Sequence, residues 1–224
     1  MRWMRWFVAG TDTGVGKTEA ACALLSLLAD EGLRPAPFKP YESGCRNLSA
    51  PADARAMRAA ARSDDDLSLI CPHRFRAAVA PGVAAMRAGA AASIHKTLRA
   101  FRSFDGRPVI AEGAGGLFVP LDARRDVIDL IALLRMPVLL VARAGLGTLN
   151  HTALSIEALA ARDIALAAVL LARSSPQSDS SQLDNAELIR ARHGVTVLGP
   201  VPFRFDRARR RSAFRRALKP LLQR

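Results

Sequence analysis

Two lysines, a glutamate and an aspartate stand where they could do phosphoryl chemistry together. The first lysine closes the run Gly10-Thr-Asp-Thr-Gly-Val-Gly16-Lys17-Thr18, which follows an apolar stretch and opens a helical one. A glycine turn in that setting converges backbone N–H groups on an anion, and the helix N-terminus adds a positive end. Lys17 would hold the β- and γ-phosphates of a nucleotide, and the Thr18 hydroxyl would bind Mg²⁺. The usual spacing wants glycine at position 11, yet Thr11 stands there and Gly10 comes one residue early. The second lysine, Lys39, lies in Lys39-Pro-Tyr-Glu-Ser-Gly44 after another short apolar run and could reach the γ-phosphate. Taken alone it reads as well as an ordinary Lys-Pro turn. Glu112 ends an apolar run just before Gly-Ala-Gly-Gly116. It could ligate Mg²⁺ directly or through water, while the glycines let backbone approach phosphate; alone it is also a Glu before a flexible turn. Asp53 opens a helical stretch, so it reads either as an N-cap or as a third contact to the ion. Mg²⁺ takes few carboxylates and keeps several waters, which suits Thr18, Asp53 and Glu112. Finally, Leu146-Gly-Thr-Leu-Asn-His151 begins a helix whose free N–H groups could hold a carboxylate or simply be capped. His151 receives no role.

Short apolar runs alternate with helical stretches around these motifs. RWFVAG, RPAPFKP, RPVIAEG, MPVLLVAR, IALAAVLLAR and VTVLGPVPF read as strands. Helices are expected over TEAACALLSLLADEG, DARAMRAAAR, SIHKTLRAFRSF, DVIDLIALLR, TLNHTALSIEALAARD and DNAELIRARHG. SAFRRALKPLLQR reads as a tail helix interrupted at Pro220. Strands alternating with helices imply crossover units, and continuous apolar strands imply a sheet buried on both faces. The expectation is one α/β domain over residues 1–224, with a mostly parallel sheet and helices on both faces. In such sheets ligands sit at the C-terminal ends of the strands, where all these motifs fall.

Composition narrows the setting. No apolar run reaches the roughly 18 residues of a membrane span, and the N-terminal run is too short for a signal peptide. Both observations point to a cytoplasmic chain. Met1 and Met4 both offer a start. Three cysteines, odd in number and without metal spacing, read as reduced and structural. The net charge of +13 invites a nucleic-acid reading. Only Lys17, Lys39, Lys96 and Lys219 are lysines among 33 basic residues, and the basic residues are spread out except near the end. A solvated basic surface accounts for them better than an anionic partner does. Two of the four lysines fall inside candidate motifs, where a mobile ammonium could follow a moving phosphoryl group.

Taken in order, these motifs resemble the dethiobiotin synthetases, a family of P-loop NTPase fold. Their loop is G-T-D-T-x-V-G-K-T, which accounts for the extra residue before Gly16. Lys39-Pro with Ser43-Gly44 is similar to their K-P-x-x-[ST]-G, Glu112 to Gly116 to their E-G-A-G-G, and Leu146 to His151 to their L-G-x-[IL]-N-H. Leu198 to Phe203 resembles the late strand and turn that flank their adenine. The resemblance covers nearly the whole chain. It implies an ATP- and Mg²⁺-dependent ligase that takes 7,8-diaminononanoate and CO₂ through a carbamate and a carbamic-phosphoric anhydride. The products are dethiobiotin, ADP and phosphate. Lys39, Lys17 and Thr13 would be catalytic, with Thr13 and Ser43 hydrogen-bonding the carbamate end. ATP would lie against Gly14, Val15, Gly16, Lys17, Thr18, Glu19, Asp53, Glu112, Gly113, Ala114 and Gly115. Its base would lie against Arg173, Ser174, Pro202, Phe203 and Arg204. The metal set would be Thr18, Asp53 and Glu112. Gly147, Thr148, Leu149 and Asn150 would hold the distant substrate carboxylate across a homodimer interface.

Three positions depart from the family. Arg173 replaces an Asn that reads the adenine edge, and arginine can only donate. Gly82 stands where His is frequent, and Tyr41 where a smaller apolar residue is usual. Two other readings share the loop style. Partition-type ATPases carry a lysine where this chain has Asp12. Amide-forming ligases of the cobalamin pathway append a glutaminase domain, for which there is no room here.

Overall fold

The computed structural model describes residues 4–177 and 180–223. The start at Met1 and the last tail residue, Arg224, lie outside them. In chain order the elements are β1 (Arg5–Gly10), α1 (Lys17–Asp30), β2 (Ala36–Phe38), β3 (Tyr41–Glu42), α2 (Ala52–Ala61), α3 (Leu67–Ile70), β4 (His73–Arg74), α4 (Pro81–Arg87) and α5 (Ile94–Arg102). There follow β5 (Val109–Glu112), α6 (Val127–Leu134), β6 (Val138–Arg143), α7 (Thr148–Ala160), β7 (Leu166–Ala172), α8 (Asn185–His193), β8 (Val197–Val201) and α9 (Arg207–Leu222). Six strands form one sheet in the order β2-β5-β1-β6-β7-β8, with every pairing parallel. A second, two-stranded sheet pairs β3 with β4. This is the expected α/β architecture.

Side chains of successive strand residues point to opposite faces, and the core divides accordingly. Phe7, Ala111, Leu140 and Leu171 pack with Phe101 of α5 and Ile128 of α6. Val8, Ile110, Val141 and Leu170 pack with Leu24 of α1, Met57 of α2 and Leu218 of α9. Burying each such large side chain contributes about 1.5–3 kcal/mol, so both helical layers are fastened to the sheet. The register then places the chemistry. Val8 pairs with Glu112 and Gly10 with Val141, so the glycine loop and Glu112 leave adjacent strand ends together.

Local chemistry moves some boundaries. β2 is shorter than the run RPAPFKP: it is bounded by prolines 35 and 40, which bring no ladder donors. It survives as an edge strand bonded only to β5. The tail helix starts at Arg207, not Ser212, because Asp206 caps it by accepting from the Arg209 amide at 2.7 Å. Pro220 does not interrupt it. The proline sits in the last turn, where it removes a single backbone donor close to the frayed end. The arginine-rich tail lies on the body of the domain: Phe214 and Leu218 are buried, and Arg215 bonds Ser26 and Asp30 of α1. The sequence reading did not pick out α3, α4 or the β3-β4 pair. Each is short: β3 and β4 span two residues, α3 four and α4 seven.

Candidate active site

The glycine loop turns sharply over its own lysine. A Cβ at Gly10 would lie 2.9 Å from the Asp12 carbonyl and 3.0 Å from Lys17 Nζ, so only glycine admits the folded-back side chain. Gly16 has φ 105°, and a Cβ there would stand 3.1 Å from the Phe214 ring. Tail helix and loop therefore fit each other closely. Lys17 Nζ donates to the Asp12 carbonyl at 2.7 Å. Burial, and then the nearby Lys39 ammonium, lower the Lys17 pKa to about 8.

Glu112 is the hub of the site. Its Oε1 accepts from Lys39 Nζ at 2.7 Å and from Thr18 Oγ1 at 2.8 Å. Lys39 Nζ also donates to the Gly113 carbonyl at 2.9 Å and lies 3.6 Å from Asp53 Oδ2. Burial alone would depress Lys39, but the Glu112 and Asp53 carboxylates outweigh it and hold the ammonium above its ordinary range. For Glu112 burial is the larger influence and pushes the carboxyl upward, with Lys39 pulling it back. At 2.7 Å, with both side chains buried, the two form an ion pair. Asp53 is not the N-cap of α2: that position is Pro51, and Asp53 lies in the first turn facing Lys39.

These groups line one cleft of about 550 Å³, bounded also by Thr13, Gly14, Ser43 and Ala114. Glu112 Oε2 is buried there without a hydrogen-bond partner. Two lysines face four carboxylates, those of Glu19, Glu42, Asp53 and Glu112. An orphaned carboxylate oxygen and a deficit of two positive charges fit a divalent cation. Among the described residues no group of three or more His, Cys, Asp and Glu could hold a metal alone. Mg²⁺ takes one or two carboxylates and completes its shell from water and phosphate.

The other expected residues fall in three places. Val15 is core, and Gly113 serves through its carbonyl. Arg173, Phe203 and Arg204 line a separate cavity of about 440 Å³ beside the loop after β7, with Pro176 and Phe205. Ser174 and Pro202 adjoin it in sequence without lining it. Arg173 turns one nitrogen, Nη2, to its own loop, bonding the carbonyls of Pro176 at 2.8 Å and Gln177 at 3.0 Å. Arg210 lies over the Phe203 ring at 5.2 Å. Gly147, Thr148, Leu149 and Asn150 form the start of α7 and do not line the cleft.

Several contributors escaped the sequence reading. Glu42 accepts from the amides of Asp53 at 3.1 Å and Ala54 at 3.0 Å. The missing capping side chain before α2, where Pro51 stands, was the signal that another acceptor must serve. Asp12 holds the Thr13 amide at 2.6 Å and pairs with Arg143 at 2.6 Å. An aspartate so engaged occupies the place of the partition ATPases' extra lysine. Tyr41 stacks on His73 at 4.7 Å and bonds Thr97 at 3.0 Å, which is how a bulky ring fits beside Lys39. Burial lowers the His73 pKa to about 4, so that ring is a neutral packing surface. Gly82 touches the neighbouring loop: its amide bonds the Pro120 carbonyl at 2.8 Å, and a Cβ there would lie 3.0 Å from that oxygen. Cys22, Cys45 and Cys71 are free and buried, as expected of structural thiols.

Residues 4–209 match the family model described as an AAA domain. The ATP-dependent dethiobiotin synthetase of Anaeromyxobacter dehalogenans strain 2CP-C is 44% identical over 220 residues, covering 97% of this chain and 98% of the relative. That of Aromatoleum aromaticum is 37% identical over 202 residues, covering 88% and 89%. Among solved structures, a cobyrinic acid a,c-diamide synthase from Mycobacterium smegmatis with bound ADP and magnesium has TM-score 0.55 at 16% identity, covering 99% of this chain and 94% of that one. That likeness is one of fold. The relatives' identity and coverage settle the family: the chain belongs to the ATP-dependent dethiobiotin synthetases.

Proposed function

We propose that the chain closes the ureido ring of dethiobiotin from 7,8-diaminononanoate, CO₂ and ATP. One amine adds to CO₂ and loses a proton, giving a carbamate. A carbamate oxygen attacks the γ-phosphorus, and the bond to ADP breaks. The second amine then attacks the carbamate carbon, a C–N bond forms, and phosphate leaves with the oxygen that carried it. Such a transfer needs positioning and charge neutralisation more than covalent help.

The observation that carries this reading is the convergence of Lys17, Lys39 and Glu112 on one cleft. Lys17 would leave the Asp12 carbonyl for the β- and γ-phosphates. Lys39 would serve the γ-phosphate and the carbamate between them. Thr13 and Ser43 line the same cleft and would hydrogen-bond the carbamate end. Thr18, Glu112 and Asp53 would hold Mg²⁺, which when bound neutralises phosphate oxygens. ATP would run along Gly14 to Glu19 and Gly113 to Gly115, its base beside Arg173, Ser174, Pro202, Phe203 and Arg204. The aromatic and guanidinium faces of that cavity suit stacking on a base. With Arg173 donating to its own loop, the base edge would be read by backbone or weakly.

The start of α7, with Gly147 to Asn150, would take the substrate carboxylate of a partner subunit. Leu146 and Leu154 are 81% and 57% exposed on that segment, as a covered dimer face would require. Among the described residues no helix is long and apolar enough to cross a membrane. The place of action we propose is the cytoplasm.

The test is direct. The protein, incubated with the diamine, bicarbonate, Mg²⁺ and ATP, should yield the cyclic urea by mass, with one ADP per ring. ATP turnover that ignores the diamine and responds instead to DNA or anionic lipid would overturn the assignment.

A second expectation concerns pH. The folded chain releases the Lys17 proton near pH 8, against about 10.5 in the unfolded chain. Burial of this ammonium thus costs stability at neutral pH, and the cost fades as pH rises from about 8 toward the ordinary lysine range. An arriving triphosphate favours the charged form. Calorimetry at pH 8.5 in two buffers of different ionisation enthalpy should therefore show proton uptake on nucleotide binding, and Lys17→Met should lose it. Equal heats in both buffers for the unaltered chain would contradict this.

A further inference from the structure

We infer that Glu42 is a positioning residue that sets Asp53 against Lys39, and so tunes the affinity for the divalent cation carried by the nucleotide. The inference rests on the Mg-nucleotide reading of the cleft and extends it to a residue outside the expected set.

Glu42 is only 5% exposed, and none of the lysines or arginines is within ion-pair distance of it among the described residues. A buried carboxylate needs its charge compensated and its lone pairs filled. Both of its oxygens are spent on α2: Oε1 takes the Asp53 amide and Oε2 the Ala54 amide. A helix leaves its first amides without intrahelical partners, and its N-terminus favours negative charge. Here no local side chain caps the helix, since Pro51 holds the cap position. The cap is supplied from eleven residues upstream.

The origin of that cap matters. Glu42 lies three residues after Lys39, on the same short segment. That segment is itself tied down: the Lys39 amide bonds the Ile70 carbonyl at 2.8 Å, and Gly44 bonds Ala77 at 3.0 Å. One rigid stretch therefore delivers the ammonium and also grips the backbone of the residue whose carboxylate stands 3.6 Å from it. Asp53 is 41% exposed at its side chain and has no other ion-pair partner among the described residues. Its placement depends on its backbone, and Glu42 holds that backbone. Outer partners of this kind change metal affinity by about 10–100-fold when removed.

The experiment compares the unaltered chain, Glu42→Gln, and the double variant Glu42→Gln with Pro51→Ser. The glutamine keeps one acceptor but turns a donor toward the second amide. The serine gives α2 a local cap without restoring the link to the Lys39 segment. Thermal melting is followed with a non-hydrolysable ATP analogue over a Mg²⁺ titration, and without either. Glu42→Gln should raise the Mg²⁺ concentration for half-maximal nucleotide stabilisation about tenfold or more. The double variant should regain ligand-free stability while its Mg²⁺ midpoint stays raised. A midpoint that matches the unaltered chain in the single variant, or returns to it in the double variant, would overturn the inference and leave Glu42 as a cap alone. If the unaltered chain itself shows no Mg²⁺-dependent stabilisation by the analogue, the Mg-nucleotide reading falls first.

Discussion

Lys39→Ala should abolish most turnover, with a loss of about 10²–10³-fold in kcat, the size of effect seen when a donor to a developing anion is removed. The structure adds a second consequence. Lys39 compensates Glu112, which is 1% exposed, so its loss leaves a buried carboxylate without its cation. Breaking such a pair costs on the order of 3 kcal/mol or more. The sign of the pH dependence follows. Burial already raises the Glu112 pKa, and without Lys39 its largest opposing influence is gone. A group whose folded pKa is raised contributes stability at pH below its unfolded value and loses it as pH rises through the folded value. The variant should therefore melt closest to the unaltered chain near pH 4 and fall behind it increasingly toward neutrality. Turnover and melting curves across that range check both halves. Near-normal ring closure would remove Lys39 from the mechanism, and a pH-independent stability gap would remove the ion-pair account.

Glu112→Gln should act on the metal as well as on the fold. The amide oxygen can still accept from Lys39 and Thr18, but the buried Lys39 ammonium is left with Asp53 at 3.6 Å as its counter-charge, so the variant should fold with reduced stability. It loses the negative charge and the unpartnered Oε2 that suit a divalent cation. We expect the Mg²⁺ concentration for half-maximal turnover to rise by about 10–100-fold, with part of the activity returning at high Mg²⁺. An unchanged Mg²⁺ titration would take Glu112 out of the metal set. The two variants separate the roles, since excess Mg²⁺ should not restore Lys39→Ala.

Much of this site was legible in the residues because its parts obey local rules. A Gly-Lys-Thr run between strand and helix announces itself, and its neighbours on β5 and after β2 follow once the sheet is parallel. The register of Val8 against Glu112 is what a doubly covered parallel sheet delivers. What the residues did not disclose is contact between segments distant in sequence. Glu42 caps a helix that it does not precede, and Asp12 meets Arg143 across the loop. Arg173 stands where the resemblance expects an Asn at the base edge, and its Nη2 bonds carbonyls three and four residues on. The tail helix was misjudged at both ends. Its cap, Asp206, lies ahead of an arginine run that carries no apolar signal, and a proline in a last turn breaks little.

The most direct measurement is a crystal structure with Mg²⁺ and a non-hydrolysable ATP analogue. The account predicts both ammonium groups, Lys17 and Lys39, within about 3 Å of terminal phosphate oxygens, and an ion between Thr18 and Glu112. A triphosphate bound elsewhere, or Lys39 still locked on the Gly113 carbonyl and turned from the phosphate, would contradict it.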